Sequence, residues 1–374
     1  MLPFTDIDFF LFAAGYVALF WLFKFFGANK FYPEITFAVT LFYLVFYFSY
    51  WIVAIPFCVF TFLFIRFIVP LINHRLVSAT IIAIPMILLK LHLNPPLLYF
   101  AGLSFVTFRA MQVSIDYSKE ERLNFIHYFN FLFFIPSLYI GPLDRYKRFT
   151  ENSKTAFKSL TRDFIYKGLE EILKGFTYKF IIAEWISRTL LSAEPFETLS
   201  GGQIVSDIYT YTLYLFFDFA GYSAMAVGMA NLLGIDLPFN FNMPFIARNP
   251  SDFWQRWHAS LTNWLTDYFF KPFYKWLSQK KELKKYPITR QNLAIFFTFF
   301  LMAVWNGFEL NFILSGVVYG IYSVVHNIYA IECRKKDRDV FFGNLSPTLV
   351  KYISIFIMFN LVCIALYIFS GRWM

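Results

Sequence analysis

Long apolar stretches alternate with short polar ones along almost the whole chain. Apolar runs at 7–23, 34–49, 51–69, 76–89, 96–108, 124–142, 203–217, 219–234, 291–306, 308–331 and 350–369 are the expected helical segments, since about 20 apolar residues carry a helix across a bilayer. The stretch from Glu34 to Ile65 contains no basic residue and exceeds one ordinary span, so it divides near Ser49 and Tyr50. Pro85, Pro95, Pro96, Pro136 and Pro142 interrupt other runs, as in helices that bend within a bundle or re-enter it. Two stretches follow another pattern. Between Asp144 and Glu184, Ile165, Leu169, Ile172 and Leu173 recur at helical spacing among Lys167, Glu170, Glu171 and Lys174, which predicts an amphipathic helix at the interface or against a partner. From Asn240 to Lys285, aromatic clusters alternate with Arg248, Asp252, Arg256, Asp267, Lys271 and Lys275, which predicts short interfacial or partly buried helices around a cavity. The fold class is an all-α integral membrane protein, a multispan bundle with interfacial and re-entrant helices, read as a single domain over 1–374.

Composition agrees. Hydrophobic residues make up 58% of the chain and charged residues 15%, against about 25% charged in soluble domains. That excludes a disordered or nucleic-acid-binding chain, and the net charge of +9 reads as basic loops facing anionic headgroups. Positive-inside bias places the loops at 24–30, 66–75, 279–290 and 334–351 in the cytoplasm, with both ends outside. A full span at 124–142 would then put the basic 145–167 region outside, so either that segment is broken or an earlier span is miscounted. Asp6 and Asp8 stand where a signal peptide would be basic, and the first run reads as a span. Cys58, Cys333 and Cys363 lie far apart without a CxxC; one disulfide stays open, while neither a disulfide framework nor a metal site is supported.

Of five histidines, His74, His92, His127 and His326 are scattered and read as interfacial or structural. His258 differs. It lies in Asp252-Phe253-Trp254-Gln255-Arg256-Trp257-His258-Ala259-Ser260-Leu261, among aromatics, an arginine and a hydroxyl. A neutral imidazole there can take a proton from an acceptor hydroxyl and return it elsewhere, as acyl transfer requires, and a buried hydrogen-bonding histidine is the competing reading. Asp218 is costly in a bilayer unless paired or facing a wet cavity. Arg109 and Asp116, two helical turns apart, are candidates to share an interior seam, as a structural pair or a substrate contact. Tyr222, Asn242 and Ser260 are candidates to order the site by hydrogen bonding, and no Ser-His-Asp set or nucleophile elbow accompanies them.

Three ordered motifs carry a resemblance: Phe216-Phe217-Asp218-Phe219-Ala220-Gly221-Tyr222-Ser223, Phe241-Asn242-Met243-Pro244-Phe245, and Phe253 to Leu261. Together they resemble the membrane-bound O-acyltransferase family. Thr107 to Asp116 and Ile140-Gly141-Pro142-Leu143-Asp144-Arg145-Tyr146 bring the chain nearer to its D-alanyl-transfer branch. The resemblance implies a tunnel-containing acyltransferase bundle in the bacterial cytoplasmic membrane, with His258 as one of two active-site histidines. It implies the other in a Trp-His-Gly motif near the start of a later helix, where this chain has Trp305-Asn306-Gly307. Asn306 can orient substrate or support an oxyanion, but it cannot do imidazole acid-base chemistry. His326, 20 residues further on, is about 30 Å away along an uninterrupted helix and is no easy replacement.

The resemblance further implies no tightly bound cofactor. A D-alanyl thioester would arrive on the phosphopantetheine arm of a cytosolic carrier protein and pass to an extracytoplasmic polymer or lipid hydroxyl such as that of teichoic acid. An accessory membrane-associated acyltransferase is a further implied partner. The open alternatives are transfer of acetyl or another small acyl group, a catalytically impaired assembly subunit, and a transporter.

Overall fold

The computed structural model describes residues 4, 6–27, 29–72, 75–93, 100–117, 122–336 and 345–374; His74, Pro95 and Pro96 lie outside them. Every regular element among the described residues is a helix. Six of these helices are long and apolar enough to cross a membrane: Ile7–Phe25, Trp51–Leu71, Gly201–Leu232, Pro287–Val304, Leu310–Lys335 and Pro347–Ser370. The chain divides into two compact units, Met1–Lys179 with Phe219–Phe239, and Phe180–Asp218 with Asn240–Met374. Cys58, Cys333 and Cys363 are buried free thiols.

In the first unit, α1 (Ile7–Phe25) is followed by α2 (Tyr32–Tyr47) and α3 (Trp51–Leu63), so the chain does divide at Ser49 and Tyr50. The next pair, α4 (Arg75–Lys90) and α5 (Leu103–Asp116), is bridged by the Ser78 and Ser114 hydroxyls at 2.8 Å. The described helix here starts at Leu103 and runs on to Asp116, later than the apolar run at 96–108 suggests. Gly102, at φ +84°, opens α5 where a Cβ would lie 2.9 Å from the Leu138 carbonyl oxygen; only glycine suits both conditions.

The apolar run at 124–142 is broken. Its helix, α6 (Phe125–Leu132), begins with the Asn124 side chain accepting from the His127 N–H at 3.1 Å. It ends where Arg109, 2% exposed, donates to the carbonyls of Phe131 at 3.2 Å and Leu132 at 2.8 Å. The same guanidinium donates to the Ser137 carbonyl at 2.5 Å and its hydroxyl at 2.7 Å. The last carbonyls of a helix have no partner within it, and a cation suits that end of the dipole. The chain then runs through Pro142 to α7 (Tyr146–Ser159). Asn124 and Tyr146 line one cavity, so the segment between them starts and finishes at the same end of the unit and re-enters rather than crosses. The basic loop around Arg66 and Arg75 is at that end too, since these side chains donate to the carbonyls of Leu123 at 3.4 Å and Ile115 at 2.8 Å. The conflict in the charge pattern disappears.

The amphipathic stretch forms α7 and then α8 (Arg162–Phe176), capped by Thr161, and widens through Thr177–Ala183 into α9 (Glu184–Thr189). A single helix, α10 (Gly201–Leu232), replaces the two runs expected at 203–217 and 219–234. Asp218 sits mid-helix, because a side-chain charge marks a dip in hydropathy without disturbing backbone hydrogen bonding. The end of α10 meets α8 at backbone contact. A Cβ on Gly175 would lie 2.5 Å from the Gly221 oxygen, and one on Gly228 would lie 2.5 Å from the Gly168 oxygen. Seven-residue spacing keeps each glycine pair on one helix face.

In the second unit, the residues from Asn240 onward form the expected short helices: α11 (Pro250–Arg256), α12 (Ala259–Leu265) and α13 (Lys271–Ser278). They pack with the hairpin of α14 (Pro287–Val304) and α15 (Leu310–Lys335), which α16 (Pro347–Ser370) joins. Asp207, 2% exposed, ties the chain end to α10 by accepting from Arg372 Nε at 2.9 Å and from the Tyr367 hydroxyl at 3.0 Å.

Candidate active site

His258 is built into a tight turn. Asn249 caps α11 by accepting from the Asp252 N–H at 2.9 Å, Pro250 follows at the start of the helix, and Asp252 binds Arg256 Nε at 2.6 Å. After Arg256 the chain reverses through His258, whose φ of 48° and ψ of 45° lie in the left-handed region. Its carbonyl starts α12 by accepting from the N–H groups of Leu261 at 3.0 Å and Thr262 at 3.1 Å. A side chain in that region costs on the order of 1 kcal/mol or more, and such strain persists only where the surroundings enforce it.

The surroundings are visible on both sides. The Asn242 N–H donates to the Arg256 carbonyl at 2.9 Å, and the Ala259 N–H donates to the Asn240 carbonyl at 3.0 Å. Ser260 donates its hydroxyl to Asn240 Oδ1 at 2.6 Å, so that hydroxyl is engaged in holding the turn. Trp257 packs against Phe216, Phe241, Phe245 and Phe253 with ring centroids 5.2 to 6.3 Å apart. The imidazole of His258 is buried, and burial pushes its pKa down to about 3, which keeps it neutral at ordinary pH.

The helices on either side of His258 both line a cavity of about 600 Å³ that α14 and α15 complete. Its wall carries the amides of Gln255, Asn263, Gln291 and Asn327, hydroxyls of Thr298 and Ser323, and the apolar faces of Trp254 and Phe299. His326 lines it as well.

Asn306 lies just past the end of α14, in the turn that leads to the start of α15 at Leu310. Its Nδ2 donates to the carbonyls of Ala303 at 3.2 Å and Met302 at 3.5 Å, so the side chain turns back onto the helix end. Trp305, half-buried, is the residue at which α14 stops.

The other candidates separate. In the first unit, Arg109 is the buried cap of α6, whereas Asp116 is exposed and borders the cavity near Asn124; seven residues put them on one face but about 10 Å apart along the helix. The expected shared interior seam is therefore not formed. Tyr222 is buried in the same unit, edge-on to Phe4 at 5.2 Å. The Ile140 to Tyr146 motif has a packing role: Asp144 accepts from Arg148 Nε at 2.6 Å, its carbonyl accepts from Gln112 at 2.9 Å, and burial raises its carboxyl pKa despite Arg148. In the second unit, Asp218 is half-buried on α10, and Asn242 is exposed, its backbone N–H donating to the Arg256 carbonyl at 2.9 Å and its carbonyl accepting from Arg256 Nη1 at 3.3 Å. The side chain that orders the turn is Asn240, 1% exposed, which the sequence did not separate from Asn242 two positions away. Among the described residues, no group of three or more His, Cys, Asp or Glu is placed to hold a metal ion.

His258 is therefore a buried, neutral histidine held in a strained turn between two short helices of a multispan helical bundle. The chain belongs to the membrane-bound O-acyltransferase family, whose model matches residues 99–370. It is a multi-pass protein of the bacterial cytoplasmic membrane. It is 36% identical over 288 residues to the teichoic acid D-alanyltransferase of Bacillus subtilis, covering 75% of this chain and 71% of the relative. The teichoic acid D-alanyltransferase of Streptococcus thermophilus is 34% identical over 313 residues, 78% of this chain and 74% of that protein. A probable alginate O-acetylase from Pseudomonas aeruginosa is 27% identical over 274 residues, 72% of this chain; the chain spans about half of that relative's length, 48%.

Proposed function

We propose that the protein transfers a D-alanyl group from a thioester on the phosphopantetheine arm of a cytosolic carrier protein to a hydroxyl of an extracytoplasmic acceptor such as teichoic acid. The observation that carries this reading is the fixed turn of His258 between two helices that both line an amide-rich cavity. A pantetheine arm is an uncharged chain of amides and hydroxyls, and the lining offers matching donors and acceptors on an apolar wall. Neutral His258 takes the proton of the acceptor hydroxyl as its oxygen attacks the thioester carbonyl. The C–O bond forms, the C–S bond breaks, and the imidazolium returns the proton to the departing thiolate. The names of the relatives support D-alanyl transfer and a teichoic acid acceptor. An accessory membrane acyltransferase would complete the system.

A second reading, acetyl transfer to a polysaccharide, is favoured by the likeness to the alginate acetylase. One reconstitution separates them: purified protein in liposomes receives carriers loaded with D-alanyl or acetyl groups, while thioester loss and mass gain of the acceptor are followed. Faster acceptor acylation from the D-alanyl carrier is expected. His258→Asn is the informative variant, because asparagine tolerates the left-handed backbone whereas alanine adds strain. It should lower transfer by about 10²-fold or more with folding retained. Near-normal transfer by that variant sinks the mechanism, and preference for the acetyl carrier selects the second reading.

A further inference from the structure

The first unit holds another cavity, of about 850 Å³, that acyl transfer at His258 does not use. It lies between the end of α5, the start of α6 and one face of α7. Arg122, Lys147 and Lys154 border it, and among the described residues none of the three forms an ion pair. The hydroxyls of Tyr117 and Thr150 stand with them, and the carboxylates of Asp116 and Glu151 share the lining. This end of the unit is also where Arg66 and Arg75 are bonded to Leu123 and Ile115. Beside those arginines the surface is greasy: Phe67, Leu71, Leu76 and Val77 are all exposed, at 47 to 76%. A polar cavity lined by Leu123, to which Arg66 beside the exposed Phe67 is bonded, suits an amphiphile.

We propose that this cavity binds the headgroup of an anionic phospholipid that carries hydroxyls beyond its phosphate, as a phosphoglycerol headgroup does. Arg122, Lys147 and Lys154 attract the phosphate, as clustered cations at a membrane surface do. Asp116 and Glu151 repel a bare phosphate but accept hydrogen bonds from headgroup hydroxyls, so the mixed lining selects a polyol phosphate. The acyl chains run along Phe67 and Leu71. Positive-inside bias assigns the loop at 66–75, and with it this lipid, to the cytoplasmic leaflet. The re-entrant segment starts and ends in the same wall, so a bound headgroup also braces the loop that Arg109 holds from within.

Native mass spectrometry of the purified full chain in detergent tests this, titrating phosphatidylglycerol against phosphatidylcholine. Phosphatidylglycerol should bind at least about tenfold more tightly. Lys147→Gln with Lys154→Gln should weaken it about thirtyfold and leave phosphatidylcholine unchanged; both lysines are exposed, so the variant should melt like the parent. Soluble glycerol phosphate at millimolar concentration should displace the lipid weakly, while inorganic phosphate should not. Equal retention of the two lipids, or full preference kept by the double variant, overturns the site. Binding of glycerol phosphate as tight as that of the lipid overturns the lipid as its source. Photo-crosslinkable phosphatidylglycerol should label peptides within 113–124 or 146–154, and labelling confined to other segments also overturns the site.

Discussion

Asn306→His tests whether this chain is an attenuated form of a two-histidine site. Asn306 now donates to Ala303 at 3.2 Å and Met302 at 3.5 Å, a weak cap that contributes about 0.5–1 kcal/mol. An imidazole placed there can offer Nδ1–H to the same carbonyls and leave Nε2 for a second partner. The structural change is therefore small. A positioned acid-base group contributes about 10²- to 10⁴-fold to a rate, which is about 3 to 5 kcal/mol on the barrier. The chemical effect exceeds the structural one, so single-turnover acylation should rise by about 10²-fold or more. Carrier affinity should not change, and the melting temperature should move by a few degrees at most. The assay uses one acyl-loaded carrier and one acceptor across a pH series, beside His258→Asn and the double variant. The gain should vanish when His258 is also replaced. No gain from a folded Asn306→His, together with normal activity of Asn306→Ala, refutes a direct role for the position.

Other variants probe the fold that holds the site. Because burial holds the His258 pKa near 3, transfer should keep its rate as pH falls through 6.5 toward 5, and a rate midpoint near 6.5 would contradict the neutral buried base. The same depression lowers stability as pH falls below 6.5, where the unfolded chain takes up a proton that the folded one does not. At pH 5 the loss is about 2 kcal/mol, and thermal melts of His258→Asn should lack it. Arg109→Met strands the carbonyls of Leu132 and Ser137 and should cost about 3 kcal/mol or more in detergent unfolding, with Arg109→Lys unable to span both; wild-type stability in either would remove the capping role. Gly228→Ala should cost about 1–3 kcal/mol through its clash with Gly168, whereas Gly201→Ala, with open space around it, should be near neutral; equal melting of the two would contradict the close helix approach.

The division at Ser49 and Tyr50 and the short helices beyond Asn240 were legible because local pattern decides them: a polar pair between apolar runs, and aromatics alternating with charges. The course of 124–142 was not. Its helix stops at Leu132 because a guanidinium from residue 109 satisfies its last carbonyls, a contact between distant residues that leaves no mark on local periodicity. The charge conflict did locate the problem. Asp218 misled in the opposite direction, since a hydropathy dip reads as a break even where the helix continues. At the site, His258 stood out by composition, but its backbone strain and the clamp by Asn240 depend on a turn that only the folded chain displays. Gly221 looked like part of a chemical motif, and its position against Gly175 gives it a packing role.

The discontinuity of the first unit has a consequence during synthesis. Residues 1–179 leave the ribosome without the part that closes them, because residues 219–239 follow a stretch that belongs to the other unit. At ordinary elongation rates that delay lasts about 3 to 12 s. Throughout it the Gly168 and Gly175 face of α8 has no partner helix, and lipid or an insertase must cover it. Slowing translation between residues 180 and 239 should lengthen this exposed interval and raise the fraction of chains degraded before completion.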